Sequence, residues 1–234
     1  MNIAYKRVLL KLSGEALAGE EKTGINEQKV GEICDKIKQI KDMGVEVGVV
    51  VGGGNFWRGK NGKEMEKTTS DYMGMLATTI NGLALKDALI SRGVNAEVQT
   101  MIDMIKIAEP YTKVGAMKHL KNGDVVIFTC GTGSPFFTTD TGAALKAIEI
   151  EADALLLAKT CDGVYSADPK KDPNAVKYDE ITYSEVLQKQ LKAMDATATA
   201  LCMDNNMPLV VFGLNDPENI IRVIKGEKIG TLVK

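Results

Sequence analysis

The sequence predicts an α/β fold, a three-layer αβα sandwich with a mostly parallel central sheet. Short apolar runs alternate with helical patterns along all 234 residues, as in chains whose parallel strands are joined by helical crossovers. The valine-rich run 45–51 is apolar on both faces, which suits a central strand covered by helices on both sides. Because no repeat or Pro/Ser-rich linker interrupts the alternation, residues 1–234 are predicted to form a single domain.

The period of each apolar run decides between strand and helix. Strands are predicted at 7–12, 45–51, 95–100, 124–129, 154–158, 209–212 and 231–233. Helices are predicted at 27–43, 70–91 and 141–151, and Gly44 ends the first of them. The 70–91 helix has a broad apolar surface, which predicts that it packs on a second subunit as well as on the sheet.

Composition excludes several functional classes. With 29 basic and 31 acidic residues the formal net charge is −2, so nucleic acid is not expected as a partner. The cysteines Cys34, Cys130, Cys161 and Cys202 are scattered, which predicts reduced thiols rather than disulfides or a zinc site. The sequence has neither a signal-peptide pattern nor an apolar run of membrane-spanning length. A cytoplasmic protein without a membrane partner is therefore predicted.

Four segments rich in glycine or hydroxyl groups follow predicted strands. They are Lys11–Gly14, Gly52–Asn55, Gly131–Thr139 and Thr160–Asp168. Each alone suits an ordinary turn, but ligands of open α/β sheets bind at the carboxyl ends of the strands, and four such segments predict a site there. The third segment leads into a helix start, whose free N–H groups favour anions, and it carries two phenylalanines. A segment that suits both a phosphate and a flat base indicates a nucleotide as the ligand.

Residues 54–60 match the spacing Gly-x-x-x-x-Gly-Lys after a strand, but the match is judged accidental. Position 61 is Asn, where a Walker loop needs Ser or Thr for magnesium. Phe56 and Trp57 are bulky for a loop that wraps around phosphates, although Arg58 remains a candidate phosphate ligand. The chain also lacks Gly-x-Gly-x-x-Gly, which weakens a dinucleotide-binding interpretation.

Candidate catalytic groups are lysine, arginine and aspartate. Lys11 closes the first strand beside Ser13 and Gly14, and it is either a solvated strand end or an ammonium that stabilises transferring phosphates. Asp140, at a predicted helix start, suits N-capping as well as catalysis. Tyr165 suits either core packing or contact with a base or ribose. The single histidine, His119, has no partner evident in the sequence, which argues against a histidine-based triad.

Together these segments resemble the bacterial UMP kinases of the amino-acid kinase superfamily. The similarity runs from Tyr5 to Val233 and is carried by Lys11–Leu17, Gly52–Asn55, Asp71–Thr78, Gly131–Asp140, Asp162–Pro169 and Met194–Asp195. The Pro-Phe-Phe-Thr-Thr-Asp loop is highly specific, since relatives that act on carboxylates carry a different acceptor loop. The Phe-Trp-Arg sequence at 56–58 is similar to the form seen in Gram-positive members.

The resemblance implies a carbamate kinase-like fold that transfers the γ-phosphate of ATP to UMP, with Mg²⁺ held mainly through the ATP phosphates and no metal site on the protein. By position, ATP would be held by Lys11, Leu12, Ser13, Gly14, Gly54, Arg58, Lys159, Thr160, Tyr165 and Asp168. UMP would be held by Gly53, Asp71, Thr132, Gly133, Ser134, Pro135, Phe136, Phe137, Thr138 and Thr139. The catalytic set would be Lys11, Arg58, Asp140 and Asp195.

Some points stay open at this stage. Members usually have Asn or Thr a few residues before Asp-Gly-Val, whereas this chain has Lys159-Thr160-Cys161, so either Lys159 or Thr160 faces the adenine. The resemblance also implies a homo-hexamer activated by GTP and inhibited by UTP, with the 20–24 loop as a candidate for the GTP response. Two alternatives are a kinase of the same superfamily acting on a carboxylate, carbamate or isoprenoid phosphate, and a non-catalytic binding or storage protein on this fold.

Overall fold

The computed structural model describes residues 3–58 and 64–234, so Gly59 and Lys60 of the Walker-like match lie outside the described residues. The strands are β1 (Arg7–Leu12), β2 (Glu46–Val51), β3 (Ala96–Thr100), β4 (Glu109–Pro110), β5 (Val125–Thr129), β6 (Ala154–Lys159), β7 (Glu180–Ile181), β8 (Leu209–Gly213) and β9 (Thr231–Val233). The α-helices are α1 (Gly14–Ala18), α2 (Glu27–Asp42), α3 (Lys67–Ile90), α4 (Lys113–Lys121), α5 (Thr139–Glu149), α6 (Tyr183–Gln188), α7 (Ala196–Asp204) and α8 (Asn219–Ile224).

These strands form one sheet in the order β4-β3-β5-β2-β1-β6-β8-β9-β7. The ladders are parallel, except for the antiparallel pair of β8 and β9. At the centre, Lys11 of β1 is in register with Val50 of β2 and with Leu157 of β6. The predicted mostly parallel sheet is confirmed.

Alternate residues of the central strands feed two separate hydrophobic cores, one on each face of the sheet. Leu10 points into the core that packs against α2, α3 and α8. Leu9 points into the core that packs against α4, α5, α6 and α7. Both faces of the sheet are therefore covered by helices, which confirms the three-layer arrangement. Among the described residues, no helix is both long enough and apolar enough to cross a bilayer.

Two helices begin at earlier residues than the sequence predicts, because side chains that precede the predicted starts cap them. Helix α3 begins at Lys67 rather than Ser70, since the carboxylate of Glu66 accepts hydrogen bonds from the backbone N–H groups at 68 and 69. These bonds lower the pKa of Glu66 to about 2. Helix α5 begins at Thr139, and the N-cap is the Thr138 hydroxyl, which accepts from Asp140 N at 3.0 Å. The capping role considered for Asp140 is therefore wrong.

Candidate active site

The four glycine- and hydroxyl-rich segments lie at one edge of the sheet. Strands β5, β2, β1 and β6 are consecutive neighbours and all parallel, so their carboxyl ends point the same way. The segments that follow them, which begin at Cys130, Gly52, Ser13 and Thr160, are brought side by side. The predicted convergence at the carboxyl ends is confirmed.

Lys11 and Asp140 form an ion pair at the centre of this edge. The Lys11 Nζ atom lies 2.6 Å from Asp140 Oδ1, and the two side chains are only 12% and 19% exposed. Lys11 comes from the end of β1, and Asp140 comes from the first turn of α5. The carboxylate thus holds a partly buried ammonium beside a helix N-terminus, where an anion is favoured.

Asp195 joins the starts of two helices. Its carboxylate caps α7 by accepting from Ala198 N at 2.9 Å. It also accepts hydrogen bonds from the Thr138 hydroxyl and, at 3.2 Å, from the Thr141 hydroxyl. Asp195 therefore fixes the entry of α5, which carries Asp140, through hydroxyl contacts.

Three clefts open at this edge of the sheet, and Asp140 lines the third of them. Cleft A, of about 500 Å³, includes Ser13, Glu15, Arg58, Lys159, Thr160, Leu214, Asn215 and Pro217 in its lining. Cleft B, of about 530 Å³, includes Glu15, Gly53, Gly54, Arg58, Asp71, Thr132, Ser134, Phe136, Phe137, Thr138 and Thr139. Cleft C, of about 560 Å³, includes Asp140, Lys159, Leu191 and Met194. Clefts A and B share Glu15 and Arg58, which are ion-paired to each other.

In cleft B, Asp71 of α3 anchors the loop after β5. One carboxylate oxygen accepts from Phe136 N at 2.8 Å, and the other pairs with Lys67. Burial alone would raise the pKa of Asp71, but the hydrogen bonds from Lys67 and Phe136 outweigh it and leave that pKa lowered. Asp71 is thus held as an anion that accepts hydrogen bonds.

The loop after β5 has a strained backbone that presents its aromatic rings outward. Phe136 has a φ of +71°, in the left-handed region that phenylalanine rarely adopts. The residue is 72% exposed, and Phe137 is 49% exposed. Gly133 has a φ of +77°, and a Cβ there would lie 3.0 Å from the Met101 Cβ atom. The Lys67 ammonium lies 5.8 Å from the centroid of the Phe136 ring. Exposed aromatic rings next to backbone N–H groups suit a base and its phosphate.

Close packing at the turns after β1 and β2 requires glycine. A Cβ on Gly14 would lie 2.8 Å from Gly52 O and 2.8 Å from Gly54 N. A Cβ on Gly53 would lie 2.7 Å from Gly74 O and 2.8 Å from the Ala77 Cβ atom of α3. The two turns therefore pack backbone against backbone, which leaves no room for larger residues between them.

Lys159 and Thr160 take different directions at the end of β6. The Lys159 ammonium donates to Lys192 O at 3.3 Å and to Ala193 O, and burial lowers its pKa. Lys159 lines clefts A and C, whereas Thr160 lines cleft A. Lys159 therefore connects the end of β6 to the 192–193 segment, which precedes Asp195.

Tyr165 and Asp168 lie on the 162–179 segment, apart from the linings given for clefts A and B. The Tyr165 hydroxyl donates to Asp162 Oδ1 at 2.8 Å, which raises the pKa of Tyr165. Asp168 closes a turn by accepting the backbone N–H groups of Lys171 and Asp172 at its carbonyl oxygen. Of the ten expected ATP residues, Ser13, Arg58, Lys159 and Thr160 line cleft A and Gly54 lines cleft B, whereas Lys11, Leu12, Gly14, Tyr165 and Asp168 line neither.

Comparison with known proteins identifies the family. The model of the amino acid kinase family matches residues 6–213, most of the 234-residue chain. The chain belongs to the amino acid kinase family.

Solved structures of this kinase family include close neighbours of the chain. The UMP kinase from Bacillus anthracis is 40% identical with a TM-score of 0.95, and the match covers 98% of this chain and 96% of that one. The UMP kinase from Ureaplasma parvum is also 40% identical, with a TM-score of 0.93 and 98% coverage of both chains. The uridylate kinase from Archaeoglobus fulgidus is 32% identical, with a TM-score of 0.77 and coverage of 97% and 99%.

Sequence reasoning missed several residues that shape the site of this kinase. Glu15 was noted only within a motif, yet it pairs with Arg58 between clefts A and B. Leu214, Asn215 and Pro217 line cleft A directly after β8. The rule that ligands bind beyond the carboxyl ends of parallel strands would have found that segment, since β8 runs parallel to β6.

The side chains that the structure describes bear on how this kinase would hold a metal ion. Within residues 3–58 and 64–234, no group of three His, Cys, Asp or Glu side chains converges as metal ligands. Asp140, the carboxylate beside Lys11, is a candidate outer ligand for a cation that arrives with phosphates. This donor chemistry fits magnesium bound chiefly through a nucleotide.

Proposed function

We propose that this protein is a UMP kinase, which transfers the γ-phosphoryl group of ATP to UMP and yields UDP and ADP for pyrimidine nucleotide synthesis. The observation that carries the proposal is the arrangement in cleft B. There Asp71 accepts from Phe136 N, and exposed aromatic rings stand next to the Thr138–Thr139 helix start. The UMP kinases at 40% identity over nearly the whole chain support the same assignment.

In this mechanism the protein positions two polyanions and neutralises the charge that moves between them. The UMP phosphate is already an anionic nucleophile, so no strong general base is required. Correct positioning of two reactants supplies about 7–11 kcal/mol of the barrier reduction. Lys11, held by Asp140, and Arg58, between clefts A and B, stabilise the transferring phosphoryl group. Asp195 keeps the α5 entry in place.

The two substrates would meet where clefts A and B join. ATP would lie in cleft A, with its phosphates along the 11–14 and 54 backbone and its base near Thr160. Contacts of ATP with Tyr165 and Asp168, which lie outside the lining of cleft A, stay a prediction from the resemblance. UMP would lie in cleft B, with its ribose hydroxyls on Asp71 and its phosphate against the N–H groups of Gly53 and the 132–139 loop. Magnesium would be bound as part of the ATP substrate and would neutralise its phosphates.

A substrate-panel assay tests the function directly. Purified protein is incubated with ATP–Mg and, in turn, UMP, CMP, aspartate, glutamate and carbamate, and ADP release is coupled to NADH oxidation. We expect kcat/KM for UMP to exceed that for every carboxylate or carbamate acceptor by at least about 1,000-fold, because a site built for a phosphate and a base lacks their partners. A preference for a carboxylate or carbamate would overturn the proposal.

The protein is further proposed to form homo-oligomers through α3. Its outward face carries Tyr72, Leu76, Ile80, Leu83 and Ile90, which are between 37% and 53% exposed. The first four recur every three to four residues, and Ile90 follows about two helical turns after Leu83. They therefore form one apolar stripe along the helix. A stripe of this kind is self-complementary when two copies pack about a two-fold axis. The hexamer itself stays a prediction.

GTP activation, UTP inhibition and a cytoplasmic location also stay predictions from the sequence. The first two are tested by the same coupled assay at subsaturating UMP, with GTP or UTP added. We expect GTP to raise the rate and UTP to lower it. A rate that neither nucleotide changes would contradict the regulatory prediction without affecting the assignment of the reaction.

A further inference from the structure

A buried pair of asparagine amides lies beneath the turns after β1 and β2. Asn55 is 3% exposed and Asn81, on α3, is fully buried. Asn81 Nδ2 donates to Asn55 Oδ1 at 2.7 Å, and Asn55 Nδ2 donates back to Asn81 Oδ1 at 3.0 Å. Two primary amides thus pair face to face inside the protein, where an unsatisfied polar group is costly.

The remaining amide donors of the pair hold two further segments. Asn81 Nδ2 donates to Gly52 O at 2.7 Å, and Asn55 Nδ2 donates to Gly24 O at 2.6 Å. Because a backbone carbonyl only accepts, each contact requires the amide nitrogen to face it, which fixes the orientation of both amides. Gly24 N also donates to Asn55 O at 3.1 Å. Every amide proton of the pair therefore has a partner.

The segments joined in this way surround the phosphate end of the site. Gly52 leads into Gly53 and Gly54, which line cleft B. Gly24 belongs to the 19–26 segment, whose residues Gly19 and Lys22 line cleft A. Asn81 itself lines neither cleft A nor cleft B, so any influence on the reaction is exerted through the turns that it holds.

Helix α3 also holds the loop on the other side of cleft B. The Thr78 hydroxyl accepts from Cys130 N at 2.8 Å, and Asp71 accepts from Phe136 N. Cys130 has a φ of +64°, so this hydrogen bond supports a backbone conformation that is strained on its own. One helix therefore sets the distance between the glycine turn and the acceptor loop.

We propose that Asn81 is a positioning residue for phosphoryl transfer, which aligns the Gly52–Asn55 turn with α3 and, through Asn55, couples it to the 19–26 segment. The proposal rests on the kinase function proposed above. It explains why an amide, with two donors and one acceptor in a plane, occupies a fully buried helical position. A displacement of the turn by about 1 Å is enough to lower a rate by about 100-fold.

The kinetic test compares Asn81→Ala with Leu85→Ala, a matched control one turn along the same helix. Leu85 is fully buried in the core and lies outside the linings of clefts A and B. We expect Asn81→Ala to lower kcat by at least about tenfold while KM for UMP and ATP changes by less than about threefold. Leu85→Ala should lose thermal stability and keep kcat. A normal kcat for Asn81→Ala, or an equal loss in both variants, would overturn the proposal.

A second measurement does not depend on which substrate the enzyme uses. Amide hydrogen exchange is followed in the intact wild-type, Asn81→Ala and Asn55→Ala proteins. In Asn81→Ala, exchange at residues 52–55 and 22–24 should be at least about tenfold faster than in wild type, with β5 unchanged. If Asn81→Ala fails to fold, Asn55→Ala is measured in its place, because Asn55 is closer to the surface. Amide exchange of the same residues should then be faster than in wild type. Unchanged exchange at 52–55 would refute the proposal even if UMP proved to be the wrong substrate.

Discussion

At the scale of single residues, the proposed chemistry depends on the ion pair of Lys11 and Asp140. A lysine at a strand end is ordinarily solvated, but here the ammonium is 12% exposed and held at 2.6 Å by a carboxylate on another element. Asp140 is available for this role because the Thr138 hydroxyl caps the helix in its place. The charge is therefore oriented before any substrate binds, and preorganised charge is what stabilises a transition state.

Replacement of the lysine tests this role. We expect Lys11→Ala to lower kcat by about 100- to 1,000-fold, the loss seen when one preorganised donor is removed from a transition state. The variant should stay folded by circular dichroism and keep its affinity for UMP by calorimetry, because UMP is assigned to cleft B. Lys38→Ala serves as the control, since Lys38 pairs with Asp42 on the outer surface of α2. Near-normal turnover in Lys11→Ala would remove Lys11 from the mechanism.

Asp71 gives a prediction about substrate affinity rather than turnover. Asp71→Asn removes the negative charge that accepts from Phe136 N and pairs with Lys67. We expect KM for UMP to rise by about 10-fold or more, since hydrogen bonds to a charged acceptor contribute about 1.5–3 kcal/mol. KM for ATP, which is assigned to the other cleft, should change much less. Initial rates with each substrate varied in turn measure both constants, and equal effects would mean that the assignment is wrong.

At the scale of elements, α3 both holds the turns of the site and presents an apolar outer face. Its buried face carries Thr78 and Asn81, which hold the turns of the site, while its outer face carries the apolar stripe. A helix that served only to cover the sheet would present a polar outer face. Packing of a second copy on the stripe would therefore also stiffen the helix that sets the geometry of the site.

The stripe gives a prediction about assembly. Ile80→Asp places a charge at the middle of the apolar face, and burial of an unpaired carboxylate costs several kcal/mol. We expect this variant to elute from a sizing column as a smaller species whose mass, by light scattering, is below that of the wild type. Gln39→Asp, on the exposed side of α2, adds the same charge elsewhere and should leave the mass unchanged. A wild-type protein that is already monomeric would refute the stripe as an interface.

Strands that are mostly apolar could be predicted from the sequence to within about one residue. The runs that became β1, β2, β5 and β6 have no competing periodicity, so their position and order were readable. The two-residue strands β4 and β7 were missed, because two residues cannot show a period. The start of α3 at Lys67 was missed because the cap is the Glu66 side chain rather than a typical capping residue.

The sequence predicts only part of the site, because only some of its features lie within a single local segment. The glycine turns and the 131–139 loop stand out in the sequence, since their composition is local. Contacts between distant elements, such as Lys11 with Asp140 and Asn55 with Asn81, depend on the packing of the sheet and carry no local pattern. One signal was available for Asn81, which is an amide in an otherwise apolar or small-residue stretch of α3. A buried amide in such a place requires partners.

At the scale of the whole molecule, the parallel sheet explains why a nearly neutral chain can hold two polyanions. The net charge of −2 attracts no anion, so binding has to come from local groups. The sheet order places four carboxyl ends in a row, with the Lys11–Asp140 pair at the middle and the Glu15–Arg58 pair where clefts A and B meet. In each of these two pairs a carboxylate balances the cation.

Global stability should also depend on pH through His119, for which the structure supplies two partners that the sequence did not reveal. Its ring nitrogens lie 2.9 Å from Asp124 Oδ2 and 3.2 Å from Glu109 Oε2, which join α4 to the start of β5 and to β4. The hydrogen bond to Asp124, aided by the charge of Glu109, raises the pKa of His119. Because the folded pKa lies above the unfolded value of about 6.5, this stabilisation is complete below that value and is lost as pH rises through the folded pKa.

The His119→Gln variant isolates this contribution, since glutamine stays neutral at every pH used. We expect the variant to unfold at a lower denaturant concentration than wild type at about pH 5.5, and the difference to shrink towards about pH 9, where the histidine is neutral. Lys118→Gln, which removes a charge from the neighbouring exposed position of α4, controls for general charge effects. A stability difference that is the same at both pH values would show that the contacts of His119 do not depend on its charge.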